Sequence, residues 1–357
     1  MKILFFTFFP EVLTQEPTRQ LDALKSLGHE VIVYNIHKDK SEEQRFKTRH
    51  FQMYASLLDY ANEISADVLY LHDYLNVPEY LLFDLKSRPN FRSKIVFTMM
   101  LREVNRSSAR ALAIKELLDL PQVARVAVYS MVKDFPYPER MRILGTNFSK
   151  IVNIGEPYNE NPNSMVSKKI ARINLGLGRD FTILWSGRWI YSKGADIFVE
   201  AAKHIGEEFK LLVHVNPEGM DLDRKILSVI KKNHSNTQII EHHFSSGEMK
   251  YLYCASDIVV CSHRRNYEYS QSGIPGMAAL AKVPIVAPNF CYFSEIVNRY
   301  KVGTLYTPES PLELAKAINH TIDYYYDIVE NAQFEKSLES YCHFEDIPKL
   351  ALEGLKI

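Results

Sequence analysis

Arg188 and Lys193 stand five residues apart in the stretch Leu184-Trp-Ser-Gly-Arg-Trp-Ile-Tyr-Ser-Lys-Gly-Ala-Asp196. Arginine offers bidentate hydrogen bonds and lysine a compact charge, so the pair suits a diphosphate. The run from Phe181 to Trp185 reads as a strand that breaks at Gly187. Both cations then fall in a loop, and Gly194 opens an apolar-periodic helix whose free N–H groups would add partial positive charge. The same pattern also fits a polar turn between a strand and a helix.

The chain of 357 residues suits two domains of similar size, and 46% hydrophobic residues supply packed cores. Lys plus Arg equals Asp plus Glu, at 43 each, so no basic excess marks a nucleic-acid binder. Cys254, Cys261, Cys291 and Cys342 show no CxxC spacing and read as thiols in a reducing, cytoplasmic compartment. The apolar start, Met1 to Phe9, is followed by Pro10 and Glu11 without a cleavage site, and reads as a buried first strand. No stretch reaches the roughly 18 apolar residues that span a bilayer.

Short apolar runs alternate with longer amphipathic ones. In the first half, strands are expected at Lys2–Phe9, Glu30–Asn35, Val68–His72, Lys94–Thr98, Val123–Ser130 and Lys150–Ile154. Helices are expected at Thr18–Leu27, Glu42–Ile64, Val77–Leu85 and Ser107–Leu118. In the second half, strands are expected at Phe181–Ser186, Lys210–His214, Gln238–Glu241, Ile258–Cys261, Pro284–Ala287 and Val302–Tyr306. Helices there fall at Gly194–Ile205, Leu222–Lys232, Gly247–Cys254, Gly276–Ala281, Phe293–Arg299 and Pro311–Tyr326. This alternation implies α/β architecture: two Rossmann-like, doubly wound parallel sheets, with ligands at the carboxyl ends of the strands. Residues 155–167, rich in Pro, Asn and Glu, read as a linker. No glycine lies between Thr7 and Leu27, which excludes a GxGxxG fingerprint there, and no GxxxxGK[ST] loop occurs.

Gly-Arg followed by Lys-Gly-x-Asp and an apolar helix resembles the donor-site loop of retaining glycosyltransferases of the GT-B fold. The nearest group is glycosyltransferase family 4, the glycosyl transferases group 1. Ala255-Ser-Asp-Ile-Val-Val-Cys-Ser262 and Ala278-Ala-Leu-Ala-Lys-Val-Pro-Ile-Val-Ala287 extend the resemblance over roughly residues 180 to 320. It implies an acceptor-binding domain over 1–160, a donor-binding domain over 161–335, and a helical segment over 336–357 packing back on the first. It also implies that Gly187, Arg188 and Lys193 hold the diphosphate of a nucleotide sugar, with no metal or other cofactor. Glu268 matches the glutamate that approaches the transferred sugar. A second glutamate, which binds the ribose, is missing: its place falls on Gly276 or Met277. Ser270, Ser272 and Gly273 could serve the phosphate at the start of the Gly276 helix, or form a turn and cap.

In the first half, the family's histidine position falls on Met100. Arg102 and Glu103 could contact sugar or phosphate, or form an exposed pair. His72 and Asp73 could meet an acceptor, or cap a strand end. Lys86, Arg88, Arg92 and Lys94, interleaved with Phe83, Leu85 and Phe91, offer a surface to anionic headgroups. A membrane contact there would suit a lipid-linked acceptor at the inner face of the membrane. His242 and His243 would point to opposite faces of a strand, so a metal site is not expected. The activity implied is sugar transfer from a nucleotide-diphosphate sugar to a glycan, lipid-linked or small-molecule hydroxyl. The alternatives are a catalytically degenerate relative that binds a glycan or partner, and a nucleotide-sugar epimerase of the same fold.

Overall fold

A computed structural model describes residues 1–7, 15–34, 49–72, 78–100, 107–129, 148–155, 164–217, 225–267, 272–343 and 345–355. The chain forms two units, Met1–Glu156 with Cys342–Ile357, and Pro157–Tyr341. Each unit is built on a six-stranded, wholly parallel sheet.

In the first unit the strands are β1 (Lys2–Phe6), β2 (Glu30–Tyr34), β3 (Val68–Leu71), β4 (Lys94–Met100), β5 (Val123–Tyr129) and β6 (Ile151–Ile154). They lie in the order β2-β1-β3-β4-β5-β6. The helices are α1 (Gln15–Ser26), α2 (Arg49–Glu63), α3 (Pro78–Lys86) and α4 (Ser108–Asp119). Ile3 to Phe6 and all of β3 are buried, because strands covered by helices on both faces must be apolar at every position.

One face of this sheet, including Ile3, Phe5, Val68, Tyr70, Val96 and Ala127, packs with Ile347, Ala351 and Leu352. These last three belong to the final helix, Asp346–Leu352. Pro348 does not interrupt that helix. It is the third residue, in the first turn, where a backbone N–H has no intrahelical partner. The Cys342 thiol donates to Gly155 O at 2.9 Å, tying this segment to the end of the first sheet.

The cationic cluster of the first unit is partly paired within it. Leu85 and Phe91 are buried. Lys86 pairs with Glu116, Arg88 pairs with Asp59 at 2.8 Å and Asp84 at 3.5 Å, and Lys94 donates to Pro121 O. Two of the four cations are thus paired with carboxylates, while Lys94 keeps its charge against a neutral carbonyl. No described helix is long and apolar enough to cross a membrane.

The second unit opens with α5 (Lys168–Asn174), which the sequence pattern does not predict. The strands follow as β7 (Thr182–Arg188), β8 (Lys210–Asn216), β9 (Thr237–Glu241), β10 (Ile258–Val260), β11 (Ile285–Pro288) and β12 (Gly303–Tyr306). Between and after them lie α6 (Ala195–Ala201), α7 (Lys225–Asn233), α8 (Ser246–Ala255), α9 (Ile274–Leu280), α10 (Cys291–Tyr300), α11 (Pro311–Asp323), α12 (Tyr325–Asn331) and α13 (Phe334–Leu338). The sheet order is β12-β11-β10-β7-β8-β9. Connections from β7 and β10 therefore leave in opposite directions, which makes this adjacent pair the topological switch point, where such sheets bind ligands.

Strand β7 does not break at Gly187. Gly187 pairs with Val215 and Arg188 with Asn216, so Arg188 is the last residue of the strand. Asp257 sits at the opposite, amino end of the sheet. It accepts from Thr182 N at 2.7 Å and pairs with Arg172 and Lys168, anchoring α5 to the start of β7. It is a structural clamp, away from the carboxyl ends of the strands.

Gly194 adopts φ +63, a left-handed conformation, and a Cβ there would lie 2.0 Å from the Ser262 carbonyl oxygen. Both backbone and space demand glycine. Gly247 in α8 has nothing within 4 Å of an added Cβ. By urea denaturation, Gly194→Ala should cost more than about 2 kcal/mol. Gly247→Ala should be neutral or stabilise by up to about 1 kcal/mol.

Candidate functional site

A cavity of ≈ 290 Å³ opens at the carboxyl ends of β7 and β8. It is lined by Ser186, Gly187, Arg188, Lys193, His214, Asn216, Phe244, Met249, Tyr253, Tyr267, Ser272, Gly273, Ile274 and Met277. No carboxylate is among these lining residues.

Strand alternation explains part of this lining. Ser186 and Arg188 share one face of β7, and His214 and Asn216 share the corresponding face of β8. The register pairs Ser186 with His214 and Arg188 with Asn216. The cavity therefore has a neutral layer and, one strand step further out, a layer with a guanidinium. Arg188 is exposed, and its side chain has no ion-pair or hydrogen-bond partner among the described residues.

Lys193 is held by a cage from the loop after β10. Its Nζ donates to His263 Nε2 at 2.9 Å and to Tyr267 Oη at 3.1 Å, and lies 4.4 Å from the centre of the Tyr267 ring. The ring attracts the cation through its negative face. His263 is packed between Tyr267 and Phe293, with ring centres 4.6 and 4.9 Å away. Burial, and then the charge of Lys193, hold its pKa well below the usual 6.5. A neutral His263 can accept from the ammonium, so its proton sits on Nδ1. Among the described residues every partner of Lys193 is neutral.

The loop between Arg188 and Lys193 is fixed by Ser262. Its hydroxyl accepts from Trp185 Nε1 at 2.8 Å and donates to Lys193 O at 2.9 Å. Arg264 adds a bidentate pair with Asp196, at 3.1 and 2.6 Å, while its backbone N–H donates to Ser192 O at 3.0 Å. The burial of Cys261 behind this loop pushes its thiol up to about 12, so it stays protonated and unreactive.

The inner layer is a hydrogen-bonded chain. Ser186 Oγ lies 2.8 Å from His214 Nδ1, and His214 Nε2 lies 2.9 Å from His242 O. Tyr253 is buried beside Ser186 in the same lining. Burial, the largest influence, lowers the His214 pKa, assisted by the charges of His242 and His243. The Ser272 hydroxyl is buried and has no partner among the described residues.

The structure thus brings Gly187, Arg188, Lys193, Ser272 and Gly273 to one cavity. Gly276 is not part of it. Helix α9 begins at Ile274, two residues earlier than the sequence suggests, so Gly276 lies inside the helix. A Cβ on Gly276 would lie 2.9 Å from Tyr341 Cε1, which explains the glycine by packing. Met277, its neighbour, faces the cavity instead. His72 follows β3 in the first unit, buried and stacked on Phe5. Met100 ends β4. Glu268, Ser270, Asp73, Arg102 and Glu103 lie outside the described residues. His263, Tyr267, His214, Ser186 and Tyr253 carry no motif that singles them out in the sequence. Among the described residues no group of three or more His, Cys, Asp or Glu could hold a metal.

Residues 167–333 match the family model for glycosyl transferases group 1. The second unit is a glycosyl transferases group 1 domain. The same fold extends over the whole chain in solved structures of low identity. Sucrose-phosphate synthase from Thermosynechococcus elongatus matches with a TM-score of 0.74 at 14% identity, covering 98% of this chain and 96% of that one. A glycosyltransferase from Rickettsia africae matches with a TM-score of 0.70 at 15% identity, covering 99% of each chain. Anabaena HepE, in complex with UDP-glucose, matches with a TM-score of 0.70 at 18% identity, covering 99% of this chain and 98% of that one. Both units are therefore the Rossmann-like halves of a GT-B fold. No curated protein sequence matches the chain.

The two buried histidines make stability depend on pH. Below the ordinary value of about 6.5 the unfolded chain takes up protons that His263 and His214 refuse in the folded state. Their contribution is therefore complete above that pH and lost progressively as pH falls below it, each by up to about 1.4 kcal/mol per unit. The urea midpoint should drop between pH 7.5 and 5.5, and His263→Gln should reduce the drop. An unchanged pH dependence in that variant would show that His263 titrates normally.

Proposed function

We propose that this glycosyltransferase is a retaining enzyme that moves a sugar from a nucleotide-diphosphate sugar to a hydroxyl acceptor without a metal ion. The observation that carries the donor reading is the uncompensated cation. Burying an ammonium with only neutral partners is costly unless an anion joins it. Lys193 is buried in this way and Arg188 stands beside it, in a cavity that no described carboxylate lines. A diphosphate supplies the missing charge. The Anabaena protein of this fold was solved with UDP and with UDP-glucose, which supports a nucleotide sugar as the ligand.

As the glycosidic bond breaks, negative charge grows on the leaving diphosphate. Arg188 and Lys193 already hold positive charge where it develops and need little reorganisation. In many enzymes such preorganised charge gives most of the rate enhancement. The two cations supply what a metal ion would supply. The acceptor hydroxyl would attack on the face that the diphosphate leaves, with a phosphate oxygen taking its proton. The acceptor, a sugar or a lipid-linked sugar, would be bound by the first unit.

Arg188→Ala and Lys193→Ala should each weaken nucleoside diphosphate binding by about 1.5–3 kcal/mol in calorimetry, the worth of a hydrogen bond to a charged group. Wild-type affinity in both variants would overturn the donor site. Release of nucleoside diphosphate from a panel of nucleotide sugars should persist in EDTA. Chelator-sensitive turnover restored by manganese or magnesium would reject the metal-free mechanism. The presence of Met277 in place of a carboxylate favours one second reading, a degenerate transferase. Donor binding without any release of diphosphate would select it.

A further inference from the structure

The chain Tyr253–Ser186–His214 lines the cavity but has no part in the clamp on the diphosphate. Its hydrogen-bond directions are fixed from one end. His242 O can only accept, so His214 Nε2 carries the ring proton and donates to it. Nδ1 is then an acceptor, and the Ser186 hydroxyl must donate to it. Ser186 has spent its only proton, so towards the neighbouring Tyr253 hydroxyl and towards a ligand its Oγ can only accept. What Ser186 offers the cavity is lone pairs.

An array of lone pairs repels phosphate oxygens and attracts O–H groups. Its place in the sheet says where that O–H must lie. Ser186 and His214 pair one strand step, about 7 Å, inward of Arg188 and Asn216. A ligand whose diphosphate sits at Arg188 and Lys193 reaches the inner layer with a group about that far from its phosphorus atoms. Ser272, buried in the same cavity, adds a hydroxyl with no partner among the described residues. The other lining residues nearby, Met277, Met249 and Phe244, offer no strong acceptor.

We propose that the Tyr253–Ser186–His214 relay, with Ser272 beside it, is the subsite that accepts a hydrogen bond from a hydroxyl of the diphosphate-bearing ligand. It rests on the donor-site reading and specifies how that site reads the uncharged part of the ligand. The hydroxyl belongs to the ribose or to the transferred sugar, and the chemistry is the same for both. A neutral acceptor bond is weaker than a bond to carboxylate, so the site discriminates against a missing hydroxyl about threefold to tenfold.

The test is a cycle of ligand and protein deletions by calorimetry. Wild type and Tyr253→Phe are titrated with inorganic pyrophosphate, with the tightest nucleoside diphosphate of a uridine, guanosine and adenosine panel, with its 2′,3′-dideoxy counterpart, and with the glucose ester of the same nucleotide. Pyrophosphate should bind both proteins alike, which reports an intact clamp. The nucleoside diphosphate should bind Tyr253→Phe about threefold to tenfold more weakly, and the dideoxy compound should bind both proteins alike. A loss confined to the nucleotide sugar supports the proposal and assigns the hydroxyl to the sugar. Ser186→Ala should repeat the pattern and serves if Tyr253→Phe folds poorly. Equal losses on the ribo and dideoxy compounds, or none on any ligand, overturn the proposal. Failure of wild type to bind any nucleotide overturns the donor site instead.

Discussion

The contact between Gly194 and the Ser262 carbonyl is the constraint on which the site depends. Two loops that leave the sheet in opposite directions, one after β7 and one after β10, meet there with no room for a Cβ. The Ser262 hydroxyl then fixes Lys193 O on one side and the Trp185 indole on the other. Arg264, reaching from the same loop to Asp196 and Ser192, closes the junction. With its backbone held, the Lys193 side chain runs past Gly187, where an added Cβ would come within 3.9 Å of its Cδ, to His263 and Tyr267. Side-chain rotamer entropy that a surface lysine would lose on binding is lost during folding instead.

That arrangement places one cation among neutral partners. Burial, and then the charge of Lys193, disfavour the charged form of His263, which stays neutral. Tyr267 offers its ring and its oxygen without taking the charge away. A carboxylate in either place would stabilise the empty protein and weaken the hold on an anionic ligand. On the proposed donor reading, such a site would hold a preorganised positive field for the anion.

The sheets are legible in the sequence because parallel strands covered on both faces are apolar runs, and each expected strand lies within a few residues of an observed one. Helix α5 is not legible because its apolar periodicity misleads: Ile170 and Ile173 are exposed, and only Ala171 is buried. Gly187 reads as a break because a glycine inside a strand looks the same whether the ladder ends or continues. Arg188 and Lys193 can be found because permanent charges at the end of an apolar strand and in the loop after it stand out. The cage and the relay cannot, since each joins residues whose proximity depends on strand order and register. Counting along the chain does not choose between Gly276 and Met277. Tyr341, packed on one of them, decides which faces the cavity.

The path of the chain imposes an order on its own synthesis. The first unit needs Ile347, Ala351 and Leu352 to complete one face of its sheet, and these leave the ribosome only after the whole of Pro157–Tyr341. The second unit is a single uninterrupted segment and can close its core while the first still shows an apolar sheet face to water. The domain that is translated first is therefore the one that matures last. Its uncovered face, with Phe5, Val68, Tyr70 and Val96, is the surface that a nascent-chain chaperone would have to shield.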